Sequence, residues 1–177
     1  MAPIRFRSAR PSDARAVGLL HADSWRRHYR GVYADAYLDG EVGEERIAVW
    51  TERLSDVGAD LYTIVAECDG VIVGFVHTRL DEDPTWGALV DNLHVSFALK
   101  RQGVGRALLA ETALVLVERR PASGLYLWVL QQNTAAQSFY LAQGGVCVEA
   151  TTRGSLPGGG SASALRFAWA NPSMLLN

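Results

Sequence analysis

The sequence has little cysteine and no long uninterrupted apolar run. Its only two cysteines, Cys68 and Cys147, lie far apart and lack the CxxC or Cys/His spacing of a zinc site or a redox motif. We therefore expect two buried, reduced thiols and no metal. The longest apolar stretch, at residues 108–116, is interrupted by Glu111 and is shorter than the roughly 20 residues that cross a bilayer. No membrane span is expected.

An excess of basic residues is also missing. Seventeen Lys and Arg stand against nineteen Asp and Glu, so the chain lacks the positive charge that binds nucleic acid. Residues 1–7 lack the apolar core of a secretory signal, and we expect a cytoplasmic protein. A hydrophobic content of 49% in 177 residues is typical of one globular domain.

Periodic patterns along the chain predict alternating strands and helices. Apolar residues with helical spacing cover residues 13–54, with breaks near Gly31 and residues 40–43. Asp69-Gly70, between two β-rich runs, predicts an antiparallel hairpin. Later strands are expected at 88–95, 125–130, 146–152 and 165–169, later helices at 103–119 and 133–144, and a glycine-rich loop at 157–160. This order predicts one α/β domain whose mixed, mostly antiparallel sheet has helices on both faces.

The segment Gly103-Val104-Gly105 stands between a predicted strand and a predicted helix. Free backbone N–H groups at such a helix start bind anions, above all phosphates, and nearby basic side chains would add positive charge. Alone, the segment is equally compatible with a plain loop into a core helix. A dinucleotide fingerprint would need a third glycine where Leu108 stands, and a Walker loop would need lysine where Arg106 stands. A nucleotide-binding domain is therefore disfavoured.

A second segment places Asn133 and Tyr140 seven residues apart, which is two turns along one helix face. Taken singly, the two residues read as a helix N-cap and a core tyrosine. Together, and behind a loop of the phosphate-binding type, the Asn133 amide and the Tyr140 phenol, whose ordinary pKa is about 10, favour a role in ligand binding and catalysis. They could bind an amide-rich ligand arm and protonate a leaving group.

With these two segments the chain resembles the GCN5-related N-acetyltransferases, the GNAT family. Residues 100–105 match the family's loop pattern of Gln or Arg, two residues, Gly, one residue, and Gly or Ala. Lys100 departs from its first position, and Phe97 stands where many members have proline. The family's later pattern is matched by Asn133, Ala136, Phe139, Tyr140 and Gly144. The resemblance implies a single domain over residues 1–177, with acceptor-side helices at about 12–56 and an acetyl-CoA-binding core at about 86–145.

The resemblance also implies a reaction, the direct transfer of acetyl from acetyl-CoA to a primary amine of a small molecule or peptide. The backbone of Leu93, His94 and Val95 would pair with the pantetheine arm as an added strand. Asn133 would contact the pantetheine amides, and Tyr140 would protonate the departing thiolate of coenzyme A. The pyrophosphate would be held by the loop residues Arg101, Gln102, Gly103, Val104, Gly105 and Arg106.

The attacking amine must first lose a proton, because an ammonium cannot attack a thioester. Asp91 is the first candidate for the base, since strict alternation would place it with Leu89, Leu93 and Val95 on one strand face. His94 is the second candidate and would point to the other face. The alternative for Asp91 is an ordinary surface carboxylate at a strand edge.

The acceptor pocket is predicted from aromatic residues alone. Trp25, Tyr29 and Tyr33, with Tyr37, could line it from the helical region, and Trp86 could lie at its mouth. The alternative is that amphipathic helices simply bury these rings. His21, His28 and His77 show no metal-ligand spacing, so packing or surface roles are expected for them.

A rival function from another class is a non-catalytic module that binds acetyl-CoA as a sensor or regulator. The intact Tyr140 favours the enzyme. A homodimer is a possible assembly, and the sequence does not identify the amine acceptor.

Overall fold

A computed structural model describes residues 3–55, 58–154 and 161–177. Its strands are β1 (Arg5–Ser8), β2 (Leu61–Cys68), β3 (Val71–Asp83), β4 (Gly87–Val95), β5 (Leu125–Leu130), β6 (Val146–Gly154) and β7 (Ser161–Trp169). Its α-helices are α1 (Ala14–His28), α2 (Asp35–Asp39), α3 (Val42–Ser55), α4 (Val104–Arg119) and α5 (Thr134–Ala142). The predicted elements are confirmed to within a few residues. The predicted loop at 157–160 and the end of the acceptor-side region at 56 lie outside the described residues.

The strands form one seven-stranded sheet in the order β1-β2-β3-β4-β5-β7-β6. Every neighbouring pair is antiparallel except β4 and β5, which are parallel. The expected mixed, mostly antiparallel sheet is confirmed. The Asp69-Gly70 hairpin is confirmed as well, with φ of +50° and +76° at the two turn residues, as a tight two-residue turn between twisted strands requires.

Helices cover both faces of the sheet. One face buries Phe75 of β3 against Trp50 of α3, and α1 adds to the same cluster. The other face receives α4, which packs so closely on β3 that a Cβ on Gly74 would stand 3.2 Å from Cδ1 of Leu108. A side chain at Gly74 would crowd Leu108 of α4, and α4 is the helix that begins at the predicted cofactor loop.

The parallel pair β4–β5 holds together over only three residue pairs, from Ala88–Leu125 to Val90–Leu127. Beyond Val90 the two strands separate. On its other side β4 stays paired with β3 as far as Val95, while β5 stays paired with β7 as far as Leu130. A wedge-shaped cleft therefore opens between the carboxyl-terminal halves of β4 and β5.

A β-bulge at Asp91 makes the predicted alternation of β4 wrong. Thr78 of β3 pairs with Val90 and His77 pairs with Asn92, so Asp91 is an extra residue without a partner on β3. An extra residue reverses the alternation beyond it. Val90, Leu93 and Val95 consequently pack in the core under α4, whereas Leu89 belongs to a separate cluster. Asp91 does not share a face with Leu93 and Val95.

Candidate active site

The open edge of β4 lines one side of the cleft. From Asn92 to Val95 its backbone pairs with β3 on one side only, so its N–H and C=O groups toward β5 are available to an extended ligand. The predicted cofactor contacts Leu93, His94 and Val95 all lie on this stretch. An arm with amide groups could pair here as though it were another strand.

The loop after β4 leads these open backbone groups to the start of α4. It bends through a left-handed conformation at Arg101, with φ of +63°, and again at Gly103, with φ of +82°. The helix begins at Val104, so the N–H groups of its first turn have no partner within the helix. Arg101, Gln102, Gly103 and Arg106 are exposed, whereas the Val104 side chain is buried. Only the backbone of Val104 can face a ligand.

The loop at residues 100–105 and the segment at residues 133–144, which carry the resemblance to the family, contact each other. A Cβ on Gly105 would stand 3.3 Å from Cζ of Phe139, the residue before Tyr140. The second glycine of the loop therefore lets α5 approach the start of α4. The predicted phosphate site and the predicted leaving-group acid are connected by this contact.

Lys100 does not point into the cofactor loop. Its Nζ donates to Nε2 of His28 at the end of α1, over 2.7 Å, and lies 5.4 Å from the centre of the Phe97 ring. The two residues at which the chain departs from the family pattern are therefore neighbours. Of the basic side chains predicted to hold phosphates, Arg101 is exposed, and Arg106 is exposed but donates to the backbone carbonyl of Asn177.

Tyr140 stands on the inner side of α5, with 8% of its surface exposed. Its ring packs on Phe167 and Trp169 of β7, and Trp169 Nε1 donates to the Gln143 carbonyl at 2.9 Å, which holds the end of α5 on the sheet. Burial raises the pKa of Tyr140. Burial is the one cause of this rise, and no hydrogen bond from residues 3–55, 58–154 or 161–177 contributes to it. A neutral phenol with an uncommitted proton suits a general acid.

Asn133 forms the N-cap of α5, where its Oδ1 accepts from the Ala136 N–H at 3.2 Å. The capping role, which its sequence position also suggested, is therefore present. The cap commits the carbonyl oxygen and leaves the amide NH₂ to donate. The predicted contact with pantetheine stays a prediction, with the NH₂ as the group that would make it.

Asp91 is held from α3. Arg53 Nη1 donates to Asp91 Oδ2 at 2.8 Å and to Asn92 Oδ1 at 2.9 Å. The bulge and this ion pair direct the carboxylate to the face that carries α1 and α3. Asp91 stays a candidate base, at the point where β4 and β5 separate.

The predicted aromatic wall forms at the end of α1. The ring centres of Trp25 and Tyr29 are 5.4 Å apart, those of Trp25 and Tyr33 are 5.0 Å apart, and those of Tyr29 and Tyr33 are 5.1 Å apart. Burial and the neighbouring phenols of Tyr33 and Tyr140 raise the pKa of Tyr29.

Trp86 is not brought together with the other three aromatic residues. It precedes β4, at the closed end of the β4–β5 pair, and packs with Leu89 and Tyr126. Its ring lies 5.2 Å from the guanidinium of Arg166. A role for Trp86 at an acceptor mouth stays a prediction without support from this placement.

A family model described as the acetyltransferase (GNAT) family matches residues 15–144. This chain belongs to the GNAT acetyltransferase family. The expected enzyme class, an acetyl-CoA-dependent acetyltransferase, is confirmed by this membership. The matched range contains all of α1 except its first residue, the cofactor loop and both residues of the Asn133–Tyr140 pair.

Relatives of this GNAT protein cover most of its length. The curated "Uncharacterized N-acetyltransferase YuaI" of Bacillus subtilis is 28% identical over 134 residues, which are 73% of each protein. PaiA N-acetyltransferase of Thermoplasma acidophilum, solved with coenzyme A, superposes with a TM-score of 0.73 at 18% identity, covering 94% of this chain and 99% of its own. YncA of Salmonella typhimurium, solved with acetyl-CoA, gives 0.67 at 17% identity, covering 95% and 94%. Because both identities are low, these superpositions show only that the three proteins share a fold.

Several polar contacts of this GNAT site were not predicted. Ser24 of α1 hydrogen-bonds to His94 Nδ1 at 2.8 Å, and Trp50 Nε1 donates to His21 Nδ1 at 2.9 Å. Burial lowers the pKa of His94 to about 3 and that of His21 well below its usual range, so both rings are neutral near pH 7. These partners lie 70 and 29 residues apart in the sequence, and no local pattern points to them.

No group of three or more His, Cys, Asp or Glu side chains in 3–55, 58–154 and 161–177 is arranged to hold a metal ion. Among the described helices, none has the length and apolarity needed to cross a bilayer.

Proposed function

We propose that this GNAT protein transfers the acetyl group of acetyl-CoA directly to a primary amine of a small molecule or peptide, in the cleft between β4 and β5. The proposal depends on one observation: the open edge of β4, the loop at the start of α4 and the helix α5 are connected to each other. The open edge of β4 leads into the loop at the start of α4, and that loop contacts the helix of Tyr140 through Gly105 and Phe139. PaiA with coenzyme A and YncA with acetyl-CoA, both of this fold, support the choice of donor.

The residues present fit the chemistry of acetyl-CoA. The exposed N–H groups at the start of α4, with Arg101 and Arg106, would hold the pyrophosphate. The backbone of Leu93–Val95 and the NH₂ of Asn133 would pair with the pantetheine amides. When bound, acetyl-CoA supplies an acetyl carbon that the amine nitrogen attacks, and the bond from that carbon to sulfur then breaks.

The side chains around the cleft would donate one proton, accept another and bind the amine acceptor. The Tyr140 hydroxyl would give its proton to the leaving sulfur, because a neutral thiol leaves more easily than a free thiolate. Asp91, or water beside it, would take the proton of the amine. Trp25, Tyr29 and Tyr33 would form the acceptor wall, since aromatic faces bind both apolar groups and ammonium ions. The acceptor-side helices would span about 12–56, and the acetyl-CoA core about 86–145.

The test is release of free thiol from acetyl-CoA with a panel of primary amines, run beside thermal unfolding with acetyl-CoA, NAD and ATP. We expect acetyl-CoA alone to raise the melting temperature, because a ligand that binds only the native state stabilises it. At least one amine should accelerate thiol release. Binding without amine-dependent release for any acceptor would support the sensor instead. A cytoplasmic location and a homodimer stay predictions.

A further inference from the structure

His28 is placed across the open end of the cofactor cleft. Its ring nitrogen Nε2 accepts from Lys100 Nζ at 2.7 Å, on the segment that follows β4. Its backbone carbonyl accepts from Gln132 Nε2 at 3.2 Å, on the segment that follows β5. His28 therefore contacts both sides of the opening between β4 and β5, the two strands that separate beyond Val90.

The Lys100 contact requires a neutral His28. An ammonium group can only donate, so Nε2 must offer a lone pair, and a protonated ring has none to offer. Burial and the charge of Lys100 lower the pKa of His28, with a further contribution from Arg27 and a partial opposing one from Asp23. Among the described residues, His94 on β4 is a further titratable neighbour, and burial lowers its pKa to about 3, so its ring is neutral in this range. Acidification would replace the hydrogen bond with a repulsion between two cations.

We propose that His28 is a positioning residue that closes the cofactor cleft, and that its protonation loosens this closure and speeds release of acetyl-CoA. The proposal rests on the proposed function, since it takes the cleft as the acetyl-CoA site. It uses the two contacts above, one to each side of the cleft. It also gives Lys100 a role other than the side-chain contact expected at the first position of the loop pattern.

The experiment measures dissociation of acetyl-CoA from the full chain by stopped-flow tryptophan fluorescence, from pH 7.5 to 5.0. Wild type is compared with His28→Ala, His28→Gln and Lys100→Gln. Arg15→Gln, at an exposed position elsewhere on α1, is the matched control. His28→Gln keeps an acceptor oxygen for Lys100 but cannot titrate in this range, and it retains every other titrating group of protein and ligand.

At pH 7.5 we expect His28→Ala and Lys100→Gln to raise the dissociation rate about tenfold, as loss of a charge-assisted hydrogen bond implies. Dissociation from wild type and Arg15→Gln should accelerate as the pH falls, and dissociation from His28→Gln should accelerate less, by the part that His28 contributes. Circular dichroism checks the folding of each variant, and Lys100→Gln tests the contact if His28→Ala does not fold.

Equal dissociation rates for wild type and Lys100→Gln at pH 7.5 would overturn the proposal. A pH dependence as steep in His28→Gln as in wild type would overturn it as well. Both results leave the proposed function intact, because acetyl-CoA still binds. Failure of acetyl-CoA to bind wild type at any pH would instead contradict the proposed function itself.

Discussion

Arg53 of α3 holds Asp91 of β4 through a 2.8 Å contact between its Nη1 and Asp91 Oδ2. The carboxylate sits on the β-bulge where β4 and β5 separate, and 26% of its surface remains exposed. It is therefore neither a free strand-edge carboxylate nor sealed from water. A fixed, water-accessible carboxylate at this point could accept a proton from an amine through one bridging water.

Asp91→Asn tests this role directly. If Asp91 accepts the amine proton, the substitution should lower kcat/KM by about 10²-fold and change the acid limb of the pH–rate profile. Arg53→Gln is the matched control, because it removes the same ion pair and keeps the carboxylate. It should retain most of the activity. A pH–rate profile that is unchanged in Asp91→Asn would exclude Asp91 as the base.

Tyr140→Phe should lower kcat by about 10²-fold and leave the dissociation constant of acetyl-CoA within a factor of about two. No hydrogen bond from the described chain contributes to the pKa of this hydroxyl, so its loss should cost little folding free energy. Tyr62→Phe is the control, since the Tyr62 hydroxyl donates to the Thr112 carbonyl at 3.2 Å, on the β2 side of α4. Turnover assays and isothermal titration calorimetry give the two readouts. Unchanged turnover in Tyr140→Phe would remove the proposed acid.

Arg101→Gln and Arg106→Gln should each weaken acetyl-CoA binding about fivefold, as expected for exposed charges worth roughly 1 kcal/mol. Calorimetry at two salt concentrations should show that the wild-type advantage shrinks as salt rises, because salt screens exposed charges. Arg15→Gln serves as the control and should bind like wild type. Equal affinities for all four proteins would mean that the backbone alone holds the phosphates.

The sequence was informative where the relevant residues are close together in the chain. The Gly103–Gly105 loop, the Asn133–Tyr140 pair and the Asp69-Gly70 turn each depend on local backbone geometry, and each was found. The bulge at Asp91 was missed because an extra residue in one strand is defined only by its pairing with another strand. The His28–Lys100 contact joins residues 72 positions apart, and only the packing of α1 on the sheet brings them together.

Gly145→Ala should destabilise the protein by about 2 kcal/mol. A Cβ there would stand 2.7 Å from Cζ2 of Trp169 and 3.0 Å from the Tyr140 carbonyl oxygen, so either the ring or α5 must move. Because the displaced helix carries Tyr140, kcat should fall too. Gly70→Asn is the control, with φ of +76° and nothing within 4 Å of a Cβ; Asn tolerates this conformation. Urea unfolding gives the comparison, and equal loss in both variants would contradict the steric explanation.

His77 should make folding stability depend on pH. It is 3% exposed, and Thr63 Oγ1 lies 2.8 Å from its Nδ1. Burial lowers its pKa from 6.5 to about 4. The native state thus binds fewer protons than the unfolded chain between these values, so this contribution is full above pH 6.5 and is lost as the pH falls toward 4.

The loss for His77 alone should be about 3 kcal/mol, at about 1.4 kcal/mol for each pH unit between the two pKa values. His77→Gln should be less stable than wild type at pH 7.5, because a buried contact is disturbed, but its stability should decline less on acidification. Urea unfolding at pH 7.5 and 4.5 measures both declines. The buried His21 and His94 are present in both proteins, so the difference between the declines isolates His77. Identical declines would show that His77 does not stay neutral in the native state.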